Sequence, residues 1–299
     1  MPVIYAFGWM PSLPDFRDVQ FAFQPLRSML ASLPVSVNLT SPALGVPWDP
    51  TWDQQPLGSC GLQCAGADIV FALIRQQGII DVPMPSRLFM YYNTRSLMGT
   101  INQDSGVDNR TMLKALAMYG WCDEALWPYD ISRYREKPPQ ACYDQAANRK
   151  IAEYNSVAQD LQTMKACLAG GDPFIFGFTV YSSMQTAEVE RTGVVPMPRG
   201  SDRVAGGHDV LFVGYDDSKQ RFKFRNSWSA QWGENGYGWM PYGYVSPRLS
   251  SDYWTVKKSP WPGPPVPPPP PPVPPVGLAP QLIAQDATGR VLGKYLLTS

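Results

Sequence analysis

Apolar residues after Cys60 recur with a helical period: Leu62, Ala65, Ile69 and Leu73 fall on one face, and Gly78 offers a stop. This spacing predicts a helix of about four turns beginning at or just after Cys60. The stretches NRTMLKALAMYG (109–120) and QDLQTMKACLAGG (159–171) also place their apolar residues on one helical face and end in glycine. Further on the pattern changes. PFIFGFTVY (173–181), HDVLFVGYDD (208–217) and QRFKFRNSW (220–228) are rich in β-branched and aromatic residues and read as strands. Helices first and strands later predict an α+β fold of two packed subdomains, a helical N-terminal half and a β-rich C-terminal half.

The pattern breaks at Ser259, where SPWPGPPVPPPPPPVPPV begins. Proline fixes φ and removes the backbone donor, so 259–276 reads as a polyproline II linker rising about 3.1 Å per residue. Beyond it, 277–299 alternates around Thr288-Gly289 like a hairpin. This leaves an N-terminal arm at 1–32 and a main domain at 33–258. No internal repeat is visible.

Composition narrows the function classes. The chain has 299 residues, 44% of them hydrophobic, which allows a sizeable core. Lys+Arg and Asp+Glu balance at 25 each, so charge suggests neither nucleic-acid nor anionic-membrane binding. No apolar run reaches the roughly 18 residues of a membrane span, and no secretory signal is visible. The expectation is therefore a protein of the cytoplasm, or of a virion or host interior, acting as a monomer. None of the five cysteines forms C-x-x-C. Cys60 and Cys64 form C-x-x-x-C, but a single histidine and no second close cysteine pair argue against a metal site, and no cofactor is expected. The proline run is a candidate ligand for proline-recognition domains.

Three residues carry the candidate chemistry. In DQQPLGSCGLQCAG, Gly58-Ser59 delivers Cys60 to a helix N-terminus, where free N–H groups and the helix dipole favour a thiolate. Its polar Gln54-Gln55 and Gly-Ser surroundings read as exposed, whereas Cys64, one turn on, reads as core. The lone histidine, His208, opens an apolar strand. Counting outward from the turn at Asp216–Lys219 places it opposite Asn226 to within about one residue, with a Cβ separation of about 5 Å. Alternation puts Phe222, Phe224 and Asn226 on one face and Arg221, Lys223 and Arg225 on the other. An inward Asn can fix one ring nitrogen of a His and leave the other for a nucleophile. A cysteine at a helix start, a histidine about 150 residues later and an asparagine beyond it match the spacing of papain-like nucleophiles.

On these residues the sequence resembles the papain-like cysteine peptidase family from about Trp9 to Trp254, most closely its short-propeptide microbial and viral members. The supporting motifs are DQQPLGSC, Gly207-His208-Asp209-Val210 and NSWSAQWGENGYG (226–238). The resemblance implies the two-subdomain papain fold with its active site in the cleft, and a cysteine endopeptidase acting on peptides or proteins. It implies Cys60, His208 and Asn226 as catalytic triad, and Gln54 with the Cys60 N–H as oxyanion hole. Trp228 would shield the Asn–His bond, while Trp232 and Tyr237 pack in the core. Ser105-Gly106 stands where the family pairs its backbone with substrate, Gly177 and Gly207 would line the pocket for the second residue before the cleaved bond, and residues 1–32 would form a short pro-segment. Three departures stand out: Leu57 replaces a cleft cysteine and with it the family's common disulfide, Gly61 replaces the aromatic after the nucleophile, and Ser229 replaces the glycine of N-S-W-G. Two alternatives remain open, a papain-like acyl or peptidyl transferase and an inactive binding module.

Overall fold

The helix predicted after Cys60 runs over Cys60–Gln77 (α1) and is the central element of the fold. It is longer than expected by about one turn, and its side chains are buried on every face from Cys60 to Ile69. The computed structural model describes residues 7–21, 33–40, 52–77, 82–258, 281–285 and 291–296. Gly78, the proline linker, the Thr288-Gly289 turn and residues 1–6 and 22–32 of the arm lie outside the described residues.

Arg87–Met98 (α2) has no counterpart in the sequence expectation. Every side chain from Arg87 to Arg95 is buried, so this helix lacks the polar face that periodicity detects. Its ends are nonetheless well marked. Ser86 caps the first turn by accepting from Phe89 N, and Gly99 closes the last at φ 71°. Asn109–Tyr119 (α3) is capped by Asp108, which accepts from Thr111 N, and ends at Gly120, as its pattern predicts. Gln140–Ala146 (α4), Leu161–Ala169 (α5) and Ala187–Thr192 (α6) complete the helices; α5 lies inside the predicted 159–171 segment.

The strands are Ser36–Asn38 (β1), Glu153–Ser156 (β2), Phe174–Tyr181 (β3), Val204–Asp216 (β4), Arg221–Arg225 (β5), Tyr237–Pro241 (β6) and Ser250–Lys258 (β7). They form one antiparallel sheet in the order β2-β7-β3-β4-β5-β6, with β1 also on β4. Its core is aromatic. Phe176 stacks on Phe212 at 4.2 Å between ring centroids, and Phe212 on Phe222 at 4.8 Å. Strand β4 packs against α1, and its residues His208 and Asp209 are fully buried. Helices and sheet together give the α+β architecture expected. Separately, Gln281–Gln285 (β8) and Val291–Leu296 (β9) pair as an antiparallel hairpin within a unit spanning Pro265–Ser299. Among the described residues no helix is long and apolar enough to cross a membrane.

Candidate active site

Cys60 is the first residue of α1, and its backbone is set by a tight turn in which Ser59 N donates to Leu57 O at 2.7 Å. Ser59 Oγ is bonded to Tyr129 OH (2.6 Å) and accepts from Gln63 Nε2 (3.2 Å), which anchors the start of the helix. The turn is not exposed as the polar residues suggested: Gln54, Ser59 and Cys60 are all buried, and of the glutamine pair only Gln55 meets solvent. They pack beneath other parts of the chain that local composition cannot reveal. The Cys60 thiol donates to Asp209 Oδ2 at 3.9 Å. Burial pushes the thiol well above its usual range, as would the Asp209 carboxyl in its ionised form, outweighing the backbone N–H groups of Asp209, Gly8 and Gly61 that favour the thiolate.

His208 Nε2 lies 2.9 Å from Asn226 Oδ1. Asn226 Oδ1 also accepts from Ser227 N at 2.9 Å, which orients the amide, so Nε2 carries the imidazole proton and Nδ1 keeps a free lone pair. Nδ1 is buried and has no hydrogen-bond partner among the described residues. The ring stacks on Trp228 at 4.6 Å and meets Phe178 edge-on at 5.8 Å. Burial pulls the imidazole down to about 4, against the opposing effect of the Asn226 bond.

The pair forms in a register other than the one expected. Strand β4 pairs Leu211 with Arg225, then shifts at a bulge between Phe212 and Gly214, and Asp216 faces Arg221 across a loop one residue later than the predicted turn. Continuing that register puts Asn226 beside Val210, two residues from His208 on the same face. The contact is therefore a diagonal one, within reach of long side chains.

Gln54 ties the two halves of the site together. Its Nε2 donates to Leu57 O at 3.0 Å, its Oε1 accepts from Ser227 Oγ at 2.7 Å, and its N–H donates to Ser227 O at 2.9 Å. Its neighbour Asp53 bridges Trp228. The segment preceding the cysteine is thus fastened to the segment that carries Asn226. The five cysteines are all free and buried, and among the described residues no cluster of His, Cys, Asp or Glu is arranged to hold a metal ion.

The family profile described as "Papain family cysteine protease" matches residues 99–253, which contain His208 and Asn226. An uncharacterized peptidase C1-like protein of Acanthamoeba polyphaga mimivirus is 35% identical over 272 residues, covering 84% of this chain and 86% of that protein. The chain belongs to the papain family of cysteine proteases. Xylellain, a cysteine protease from Xylella fastidiosa, matches this papain-family fold at a TM-score of 0.76 and 38% identity, over 86% of this chain and 98% of xylellain. Procathepsin B S9 from Trypanosoma congolense, at 15% identity, covers 85% of this chain and 86% of its own with a TM-score of 0.66, and shares the fold. The papain-family chain is a cysteine peptidase, a hydrolase.

In this papain-family protein the N-terminal arm lies across the site. Trp9 N donates to Gly207 O (3.0 Å), Met10 N to Val107 O (3.0 Å), and Val107 N to Gly8 O (2.7 Å). The resemblance placed the pairing edge at Ser105-Gly106; the backbone that pairs with the arm is Val107, one residue on, while Ser105 Oγ turns to Thr100 Oγ1 at 2.8 Å. Gly106 makes room for Gly8, since a Cβ at 106 would stand 2.0 Å from Gly8 O. Trp9 packs against both Gly177 and Gly207, where a Cβ would come 2.3 Å from Trp9 Nε1 and 2.4 Å from Trp9 O respectively. Asp252 holds the arm from below, accepting from Trp9 Nε1 (3.4 Å), Ser12 N (3.2 Å) and Ser12 Oγ (3.0 Å). Sequence reasoning missed Val107, Asp209 and Asp252. The one available signal was an aspartate, Asp209, inside an otherwise apolar strand.

Proposed function

We propose that the chain is an endopeptidase using a Cys60–His208–Asn226 triad and a thioester acyl-enzyme, held latent by its own N-terminal arm. The carrying observation is the imidazole of the only histidine in the chain, with Nε2 occupied by Asn226 and Nδ1 left free. With the cleft open, the Cys60 proton passes to Nδ1 and the thiolate attacks the scissile carbonyl. The Cys60 N–H and the Gln54 side-chain amide stabilise the oxyanion, His208 protonates the leaving amine, and water then hydrolyses the thioester. Asn226 holds the ring in the tautomer this sequence of proton transfers needs. Gly8, Trp9 and Met10 occupy the backbone groups of Val107 and Gly207, which supports reading the arm as a pro-segment that blocks an extended peptide there.

The test is active-site titration with an epoxide peptide inhibitor followed by identification of the labelled residue. Labelling at Cys60, abolished in Cys60→Ala, is expected; labelling elsewhere overturns the assignment. Gln54→Ala should retain measurable turnover reduced about 10²–10³-fold. Self-removal of the arm predicts a new N-terminus in wild type that Cys60→Ala lacks after the same incubation.

A further inference from the structure

We propose that Asp209 is a further catalytic residue of this peptidase, a neutral carboxylic acid whose Oδ2–H hydrogen-bonds the Cys60 thiolate. The inference rests on the reading of Cys60 as nucleophile and adds a group that reading does not use. His208 and Asp209 are consecutive on β4, so their side chains leave opposite faces of the strand. His208 meets Trp228, whereas Asp209 meets the start of α1 and of α3. There its Oδ2 lies 3.9 Å from Cys60 Sγ.

The hydrogen-bond pattern assigns the proton. Asn109 Nδ2 donates to Asp209 Oδ1 at 2.9 Å and to the Asp252 backbone carbonyl at 3.0 Å, so both amide hydrogens are committed and Oδ1 is the acceptor oxygen. Oδ2, which accepts from the resting Cys60 thiol at 3.9 Å, is the remaining oxygen for the carboxylic hydrogen, and that hydrogen turns to the sulfur once the thiol proton has left. The titratable groups facing Asp209 are Cys60 and Cys64 on α1, Asp108 at the head of α3 and Asp252 on β7. Both facing carboxyls disfavour a third negative charge, and Asp209 is itself fully buried. These surroundings keep it neutral and make it a donor.

Gly61 provides the space. A Cβ at 61 would come 3.0 Å from Asp209 Oδ2, 3.1 Å from Met112 Sδ and 3.2 Å from Val107 Cγ2, so a larger residue there would push the carboxyl off the sulfur. The chain's departure at Gly61 and its buried Asp209 are thus sterically linked. Asp209 keeps its proton throughout the reaction: the thiol proton moves to His208 Nδ1, and Asp209 supplies one hydrogen bond to the sulfur left behind, with no bond formed or broken at its own oxygens. An ionised Asp209 would do the opposite and oppose the thiolate.

The test compares Asp209→Asn, which keeps a donor, with Asp209→Leu, which keeps volume and removes it, in the full chain. The readout is the pH dependence of kcat/KM together with the thiolate absorbance of each protein minus its Cys60→Ser counterpart. The expected result is an acid limb little changed in Asp209→Asn and moved up by about one pH unit in Asp209→Leu, a loss of about tenfold on that limb. An unmoved limb in Asp209→Leu, or a downward shift in both variants, overturns the inference while leaving Cys60 as nucleophile. Full activity in Cys60→Ser overturns both. Should Asp209→Leu not fold, infrared difference spectra of wild type minus Asp209→Asn decide: a carboxylic-acid C=O band is expected, and a carboxylate band in its place overturns the proposal.

Discussion

The indole of Trp9 packs against Gly177, where a Cβ would come within 2.3 Å of Trp9 Cε2 and Nε1. No side chain could stand at 177 with the arm in place, so the arm and the pocket are mutually fitted. Truncating a buried tryptophan typically costs about 3–5 kcal/mol, and here that loss falls on the docked state of the arm. Full-length Trp9→Ala should therefore react with an epoxide peptide inhibitor at least about tenfold faster than wild type. Equal labelling rates would show that the arm does not gate the cleft.

His208 makes the folded protein sensitive to acid. Its imidazole is held at about 4 against an ordinary 6.5, so between these values the unfolded chain binds the extra proton. The contribution of the neutral, buried ring is complete above about pH 6.5 and is lost as pH falls toward 4, with a slope of at most about 1.4 kcal/mol per pH unit. Urea midpoints at pH 7.5 and 4.5 check this: wild type should lose more stability between them than His208→Gln.

Ser229 occupies a glycine conformation. Its φ is 68°, in the left-handed region, at the place where the family motif carries glycine. Its Oγ recovers part of the cost by accepting from Gln231 N at 3.3 Å. Ser229→Gly should stabilise the fold by about 0.5–1 kcal/mol and leave kcat unchanged, measurable as a rise in thermal midpoint.

Asp68 is buried in α1 with only one oxygen satisfied. Oδ2 accepts from Val256 N at 3.0 Å, while Oδ1 has no partner among the described residues, and burial raises the carboxyl well above 3.8. A group raised in the folded state contributes stability below its unfolded value and loses it as pH rises. Asp68→Asn keeps the acceptor and removes the titration, so its advantage over wild type should grow from pH 5 to pH 8. Thermal midpoints that run parallel across this range would count against a buried neutral acid at 68.

The candidate triad was legible because each member sits in a local pattern: a Gly-Ser turn before a helical period, a histidine heading an apolar strand, and an asparagine in phase with two inward phenylalanines. The same patterns yielded α1, α3, α5 and strands β3, β4 and β5, but not β6 or β7. Helix α2 escaped because burial on every side erases amphipathic periodicity. The His208–Asn226 register came out two residues away because a bulge and a shifted loop change strand pairing without a clear mark in composition.

What the sequence determined by itself is the set of local elements and the chemical types they carry, since helical and strand periods and turn residues act over a few positions. Only the tertiary structure decided that Asp209 meets a cysteine 149 residues away, and that Trp9 seats on Gly177. Both depend on which buried faces pack together, a choice made by the shape and volume of the whole core.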